Sequence, residues 1–271
     1  MKKTVLLSLI CLTFIVFSTL SCKQKTKVPK KEKTSLILVH SAWLGGWQWN
    51  ETIQHLEDER LAIHAPDLPG HGEDKTPSVN ISMDDYVQQL LTIIDKTPHP
   101  VVLVGHSFNG ITISRVAELR PKKVKKLIYL TAFLVPDGSS FFSAVKGVEG
   151  STAVENFYLS EDHNYALVKA DKMHEAFAHD IPLANFNAAK AFIVPEPVAP
   201  LNYMLEVSEE NFGNIPKYYI ECTEDKAIPL AVQRAMYQGK VKKHYSLVSS
   251  HTPNFSKADS LAYLIKEIVL Q

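Results

Sequence analysis

The chain has 271 residues, 45% of them apolar and 21% charged, with 29 basic residues against 29 acidic ones. That length and apolar share exclude a disordered or collagen-like chain and fit one large α/β domain or two small ones. Residues 1–33 hold eight of the basic residues and a single acid, Glu32, so the chain from Thr34 onward carries 21 basic against 28 acidic residues, a balance that argues against nucleic acid as a partner.

Met1-Lys2-Lys3-Thr4 leads into an apolar run over residues 5–20 that is short for a membrane span and ends in small residues, the form of a secretory signal over residues 1–21. Cys22 directly after Ser21 has the form of a bacterial lipoprotein processing site, although Leu20 stands two residues before the cysteine where the common pattern prefers three. Residues 22–33 then read as a lipid-anchor cysteine and a basic tether without apolar periodicity. The expectation is an exported bacterial chain, periplasmic or held to a membrane by its lipid alone. Cys11 and Cys22 belong to this leader and leave Cys222 without a disulfide partner; it lies in an apolar run and reads as an inert core thiol.

Residues 35–40 form a buried-type strand, and Ser41-Ala42-Trp43-Leu44-Gly45-Gly46 is the loop that leaves it. A helix is expected over residues 47–59, with Trp47 and Trp49 as core packing. A strand follows at 61–65, then the turn-rich loop Pro66-Asp67-Leu68-Pro69-Gly70-His71-Gly72, and a helix from the serine cap at Ser82 to Asp95.

The stretch that organises the chain comes next. Val101-Val102-Leu103-Val104 runs into Gly105-His106-Ser107-Phe108-Asn109-Gly110, and a helix-compatible segment starts at once, so Ser107 sits in a sharp strand-to-helix turn. Such a turn exposes the hydroxyl at the C-terminal edge of a parallel sheet and aims unpaired helix N–H groups at the place where negative charge forms on an attacked carbonyl. Ser107 is therefore the candidate nucleophile, and the N–H groups of Ala42 and Phe108 are the candidate oxyanion hole. The usual pattern is Gly-x-Ser-x-Gly; here Asn109 takes the second glycine's place and Gly110 follows it, which puts the local packing in question.

A strand at 124–132 continues the strand-helix alternation of a parallel, doubly wound sheet. Residues 137–205 break it: they are aromatic-rich, with helical patches, the cluster Pro195-Glu196-Pro197-Val198-Ala199-Pro200, and no clear strand. They read as a lid over the C-terminal sheet edge, in which Phe141, Phe142, Phe157, Tyr158, Phe177, Phe186, Phe192 and Tyr203 are lid core before they are pocket wall. Residues 34–136 and 206–271 form the core, the second part holding strands at 217–222 and 244–248 and helices at 229–237 and 256–269.

A serine hydroxyl needs a histidine to take its proton and a carboxylate to fix the ring. In this architecture the chain order is serine, acid, histidine, each in a loop after a strand. That order favours His251 over His244, which begins a strand, and places the acid in Thr223-Glu224-Asp225-Lys226, where Asp225 is the candidate and its neighbour Glu224 is expected to point away, with Asp137 as the rival acid. The histidines earlier in the chain lack metal-ligand spacing, so neither a metal nor another cofactor is expected.

With those residues in place the chain resembles the α/β-hydrolase superfamily, and within it the plant methylesterases, the plant hydroxynitrile lyases and their bacterial esterase relatives. The resemblance runs from Ser35 to the C-terminus and rests on Leu38-Val39-His40-Ser41-Ala42-Trp43, Gly45-Gly46-Trp47-Gln48-Trp49, Gly105-His106-Ser107 and Cys222-Thr223-Glu224-Asp225-Lys226-Ala227-Ile228-Pro229. It implies that Asp225 is the triad acid. It also implies Ser41 and His106 as substrate-pocket residues: esterases of this kind carry Gly, His and no Lys at three places where lyases carry Thr, Glu and Lys, and this chain has Ser41, His106 and Thr252. Hydrolysis of a small carboxylic ester is the implied activity. The alternatives are cyanohydrin cleavage on the same residues and a non-catalytic ligand-binding scaffold.

Overall fold

Short β-branched runs separated by helices build one parallel sheet, as the computed structural model shows for residues 33–271. The secretory signal and the Cys22 anchor fall outside these described residues. In chain order the core supplies β1 (Thr34–Val39), β2 (Leu61–His64), β3 (Val101–His106) and β4 (Val124–Leu130). The segment after β4 holds β5 (Phe157–Leu159), β6 (Tyr165–Val168) and β7 (Glu196–Pro197), and the core resumes with β8 (Lys217–Cys222) and β9 (Lys243–Leu247). The main sheet has the order β2-β1-β3-β4-β8-β9, with every pairing parallel. Strand order reverses between β1 and β3, and the crevice beyond the C-terminal ends of such a pair is where open α/β sheets bind ligands.

Alternate residues of each strand feed two cores. Ile37, Val39, Leu103 and Tyr129 enter one, and Leu36, Leu38, Val104 and Ile128 the other. The first core is covered by α2 (Met83–Lys96) and α3 (Gly110–Leu119). The second is covered by α1 (Asn50–Leu56) and by the helix that ends the chain. In α2 the buried positions Met83, Tyr86, Val87, Leu90, Leu91 and Ile94 follow the helical repeat. Its start is fixed by a capping box between Ser82 and Asp85, an arrangement that contributes about 1 kcal/mol.

The cap between β4 and β8 carries five short helices: α4 (Phe141–Val145), α5 (Thr152–Glu155), α6 (Met173–Phe177), α7 (Leu183–Lys190) and α8 (Val198–Leu201). It also carries the antiparallel sheet β5-β6-β7, where no strand was expected. These strands have two to four residues and β7 contains Pro197, so neither alternation nor propensity marks them in the sequence. Helix α9 (Leu230–Tyr237) follows β8, the expected terminal helix is present as α11 (Ala258–Leu270), and a short helix that was not expected, α10 (Pro253–Ser256), precedes it. The helix expected over 47–59 starts as a 3-10 turn at Gly46–Trp49 and ends at Leu56.

Gly110 opens α3 where it crosses the chain leaving β4: a Cβ there would lie 2.6 Å from the Phe133 carbonyl oxygen and 2.9 Å from its nitrogen. Close passage of helix and strand is thus supplied one residue after the position where the usual elbow pattern places glycine. Gly110→Ala should destabilise the fold by about 1–3 kcal/mol through overpacking against backbone. A lower urea midpoint at unchanged m-value is the expected reading, and a wild-type midpoint contradicts it.

Candidate active site

β3 ends at His106, and Ser107 follows with φ of +57°, the left-handed region that a residue bearing Cβ enters at a cost of about 1–2 kcal/mol. The neighbours hold it there. The Phe133 N–H donates to the Ser107 carbonyl at 3.0 Å, and Gly105 has no room for a side chain against Asn109 and Ile113. Asn109 resolves the packing question raised by the sequence. Its Nδ2 donates to the His40 carbonyl at 2.7 Å and its Oδ1 accepts from the Thr112 hydroxyl at 2.6 Å, so the side chain ties the elbow to the end of β1.

The structure brings Ser107, His251 and Asp225 together from three loops. His251 Nε2 lies 2.9 Å from Ser107 Oγ, and its Nδ1 lies 2.7 Å from Asp225 Oδ2. A carboxylate only accepts, so Nδ1 carries the proton and Nε2 is left to accept from the serine hydroxyl. Asp225 is buried, and its Oδ1 accepts the N–H groups of Ala227 at 2.7 Å and Ile228 at 2.9 Å, while Oδ2 also accepts the Thr131 hydroxyl. Buried Gln233 braces this loop by bonding both backbone groups of Cys222 and the carbonyl of Ile228. The rivals lie elsewhere. Asp137 is exposed and accepts from Val207 N–H, Glu224 is exposed beside Asp225, and His244 is exposed on β9.

The loop after β1 is pinned by buried histidines that sequence reasoning passed over. His40 Nδ1–H donates to the Ser41 carbonyl at 2.8 Å, and its Nε2 accepts Leu68 N–H at 3.0 Å. In a planar trans peptide this points the following N–H, that of Ala42, the opposite way. Burial and the nearby His71 charge lower His40 to about 3, which keeps it neutral and its tautomer fixed. The Ala42 N–H has no protein acceptor among the described residues, and Phe108 lies in the first turn of the short helix Ser107–Asn109, where N–H groups lack one.

His106 was expected in the substrate pocket and is instead fully buried behind the triad. Ser41 N–H donates to Gln48 Oε1 at 3.0 Å, Gln48 Nε2 donates to His106 Nδ1 at 2.9 Å, and His106 Nε2–H donates to the His251 carbonyl at 2.8 Å. Burial and the neighbouring His251 hold His106 well below its ordinary range, as this all-neutral chain requires. The family pattern marks the residue before the nucleophile, but only the structure shows that it links the oxyanion loop to the loop of His251.

A buried acid, Glu196 of β7, is the feature least visible beforehand. Its Oε2 lies 2.8 Å from His71 Nε2, and its Oε1 accepts the Tyr86 hydroxyl at 3.0 Å. His71 Nδ1 lies 3.1 Å from the Pro69 carbonyl, so both ring nitrogens face acceptors, the arrangement of an imidazolium. Burial opposes that charge, but the Glu196 carboxylate outweighs it and raises His71 above its ordinary value. Burial likewise opposes the charge of Glu196, and His71 outweighs it and lowers the acid.

Two narrow apolar cavities meet at Trp43 and Phe177, whose ring centroids are 5.4 Å apart. One is lined by Ser107, Phe133, Phe141, Phe157 and Ile228, the other by Ser41, Ala42, Trp47, Phe186 and Phe255. Ser41 lies on the wall of the second cavity, with its hydroxyl donating to the Ala42 carbonyl at 2.9 Å. Trp49 is core as expected, whereas Trp47 is pocket wall, stacked on Phe255. Phe141, Phe157, Phe177 and Phe186 prove to be both lid core and lining, while Tyr158 and Phe192 are exposed.

Comparison with known proteins gives the same architecture. Residues 36–262 match the family model described as the alpha/beta hydrolase family. The chain is 33% identical over 266 residues to the Arabidopsis thaliana protein named "Putative methylesterase 11, chloroplastic", covering 90% of this chain and 66% of that one. It is 31% identical over 246 residues to the pyrethroid hydrolase of Sphingobium wenxiniae, covering 86% of this chain and 87% of the relative. The crystal structure of a pyrethroid hydrolase from Sphingobium faniae JZ-2 superposes with a TM-score of 0.79 at 29% identity, covering 87% and 96% of the two chains. The chain spans 66%, 58% and 59% of three chloroplastic Arabidopsis relatives.

The His71–Glu196 pair gives a pH-dependent stability. A raised His71 contributes fully below its unfolded value of 6.5 and loses that contribution as pH rises through its folded value. A lowered Glu196 contributes above its unfolded value of 4.5 and loses it as pH falls through its folded value. The Tm advantage of wild type over the double variant His71→Asn/Glu196→Gln should therefore peak between these limits and shrink on both sides. Parallel Tm-against-pH curves contradict the ion pair.

Proposed function

Given that this chain belongs to the alpha/beta hydrolase family, we propose that it hydrolyses a small carboxylic ester through an acyl-enzyme on Ser107. The observation that carries this is the unbroken hydrogen-bonded series from Ser107 Oγ through His251 to Asp225 at a left-handed elbow that opens on an apolar cavity. His251 Nε2 takes the Ser107 proton as Oγ bonds to the carbonyl carbon. The carbonyl π electrons move to oxygen, and the N–H groups of Ala42 and Phe108 hold that oxyanion. The tetrahedral centre collapses, the C–O bond to the alcohol breaks, and His251 gives its proton to the leaving oxygen. Water then repeats the cycle and frees the acid, while Asp225 keeps Nδ1–H in place throughout. The two cavities suit apolar groups on either side of the ester carbonyl, in keeping with relatives named methylesterase and pyrethroid hydrolase. Cyanohydrin cleavage finds less support. The Ser41 hydroxyl proton is committed to the Ala42 carbonyl, and Thr252 stands at the lyase lysine's place with its hydroxyl donating to Phe177.

Export and lipidation at Cys22 belong to the same proposal and rest on the sequence of residues 1–33 alone. Incorporation of labelled palmitate that Cys22→Ala abolishes is the expected result; an unlabelled chain that keeps its first residues contradicts it.

A fluorophosphonate probe and a panel of short-chain and aryl esters test the chemistry. Wild type should label and turn over, and Ser107→Ala or His251→Ala should lose labelling and about 10⁴-fold or more in kcat. A folded wild type that neither labels nor turns over an ester contradicts the proposal.

A further inference from the structure

Trp43 follows the oxyanion donor Ala42 and has φ of +65°, a backbone conformation that a bulky residue keeps only when its surroundings impose it. All three of its polar groups are bonded to the cap. Its N–H donates to Glu196 Oε2 at 2.9 Å, its carbonyl accepts Val194 N–H at 2.9 Å, and its indole Nε1–H donates to the Ala166 carbonyl at 2.8 Å. Ala166 and Glu196 are register partners in the β6–β7 pair, so one small sheet presents two of these contacts. The acid is anchored in turn to the core by His71 and Tyr86.

From this we propose that the cap completes the oxyanion hole by clamping Trp43, with Glu196 as the positioning residue. The loop is pinned on its N-terminal side by His40 and Gln48, which act on Ser41, and at its far end by Gly46 N–H, which donates to Asp67 Oδ1 at 2.6 Å, while between these points Trp43 ties it to the cap. Freed of the clamp, Trp43 relaxes to negative φ, the Ala42–Trp43 peptide rotates, and the Ala42 N–H leaves its line to the reacting carbonyl. The same motion shifts the indole that walls both cavities. A carboxylate suits the position because three donors converge on it: Trp43 N–H and His71 Nε2–H on one oxygen and the Tyr86 hydroxyl on the other. Glutamine can still accept from Trp43 but gives up the charge that matches His71.

The inference rests on the ester-hydrolase reading, and its test separates the two. Hydrogen exchange over residues 40–46 reads the clamp without chemistry. Glu196→Ala should raise exchange there by about tenfold or more while β3 stays protected, and Glu196→Gln should restore most of the protection. Kinetics read the consequence. Glu196→Ala should lose about 10²-fold in kcat and in affinity for a trifluoromethyl ketone, whose adduct places an oxyanion in the hole, with a smaller rise in KM from the shifted indole and the acidic limb of the pH profile unchanged. Glu196→Gln should recover at least tenfold of that loss. Should Glu196→Ala not fold, Trp43→Phe drops the indole tie while keeping an aromatic wall, and should raise exchange over residues 40–46 as well as weaken ketone binding about tenfold. Wild-type exchange and ketone affinity in a folded Glu196→Ala or Trp43→Phe variant overturn the clamp. A wild type that turns over no ester overturns the hydrolase reading alone, and the exchange result still decides the clamp.

Discussion

A serine held at φ of +57° between a buried strand and a helix that starts at once is the constraint on which the rest of this structure depends. The strain is worth only about 1–2 kcal/mol, but it is stored at one residue and the neighbours must hold it. Gly105 and Gly110 exist to let backbone pass on either side of the turn, and Asn109 ties it to the adjacent strand end. Because β1 and β3 are neighbours at the reversal of strand order, the loop after β1 and the elbow after β3 face the same crevice. Sheet topology thereby puts the Ser107 hydroxyl beside the loop that holds the Ala42 N–H.

Four buried histidines then take three different parts, each set by what faces its two nitrogens. His251 has a carboxylate on one side and a hydroxyl on the other, the setting the proposed proton transfer requires. His40 and His106 each bond a backbone carbonyl and an N–H donor, and stay neutral struts. His71 faces a carbonyl and a carboxylate, and is held as a cation. The cap braces the site from above as well: the carbonyl of Phe177 accepts from Ser250, from the Thr252 hydroxyl and from Thr252 N–H, which fixes the loop of His251.

The sequence was legible where chemistry is tied to chain order. Ser107, Asp225 and His251 each follow a recognisable apolar strand, and the structure brings all three together. The sheet was legible for the same reason, since five of its six strands are runs of four or more mostly apolar residues. The cap was not: its strands are too short to show alternation, and β7 sits within Pro195-Glu196-Pro197. The supporting polar residues were not legible either. Glu196 is 153 positions from the Trp43 N–H it accepts, and His106 is 145 from the carbonyl it bonds, so no local pattern records either pairing. The family pattern marks His106 as a pocket residue because it precedes Ser107; its place is set by Gln48, which arrives from a different segment.

Acylation of Ser107 is the step on which the proposed chemistry turns, and rapid acid quench during turnover of a short-chain p-nitrophenyl ester reads it. The expected result is the mass of one acyl group on the peptide containing Ser107, absent from Ser107→Ala, whose turnover is lost with it. Turnover retained in Ser107→Ala, or an acyl group carried by another residue, overturns the proposal.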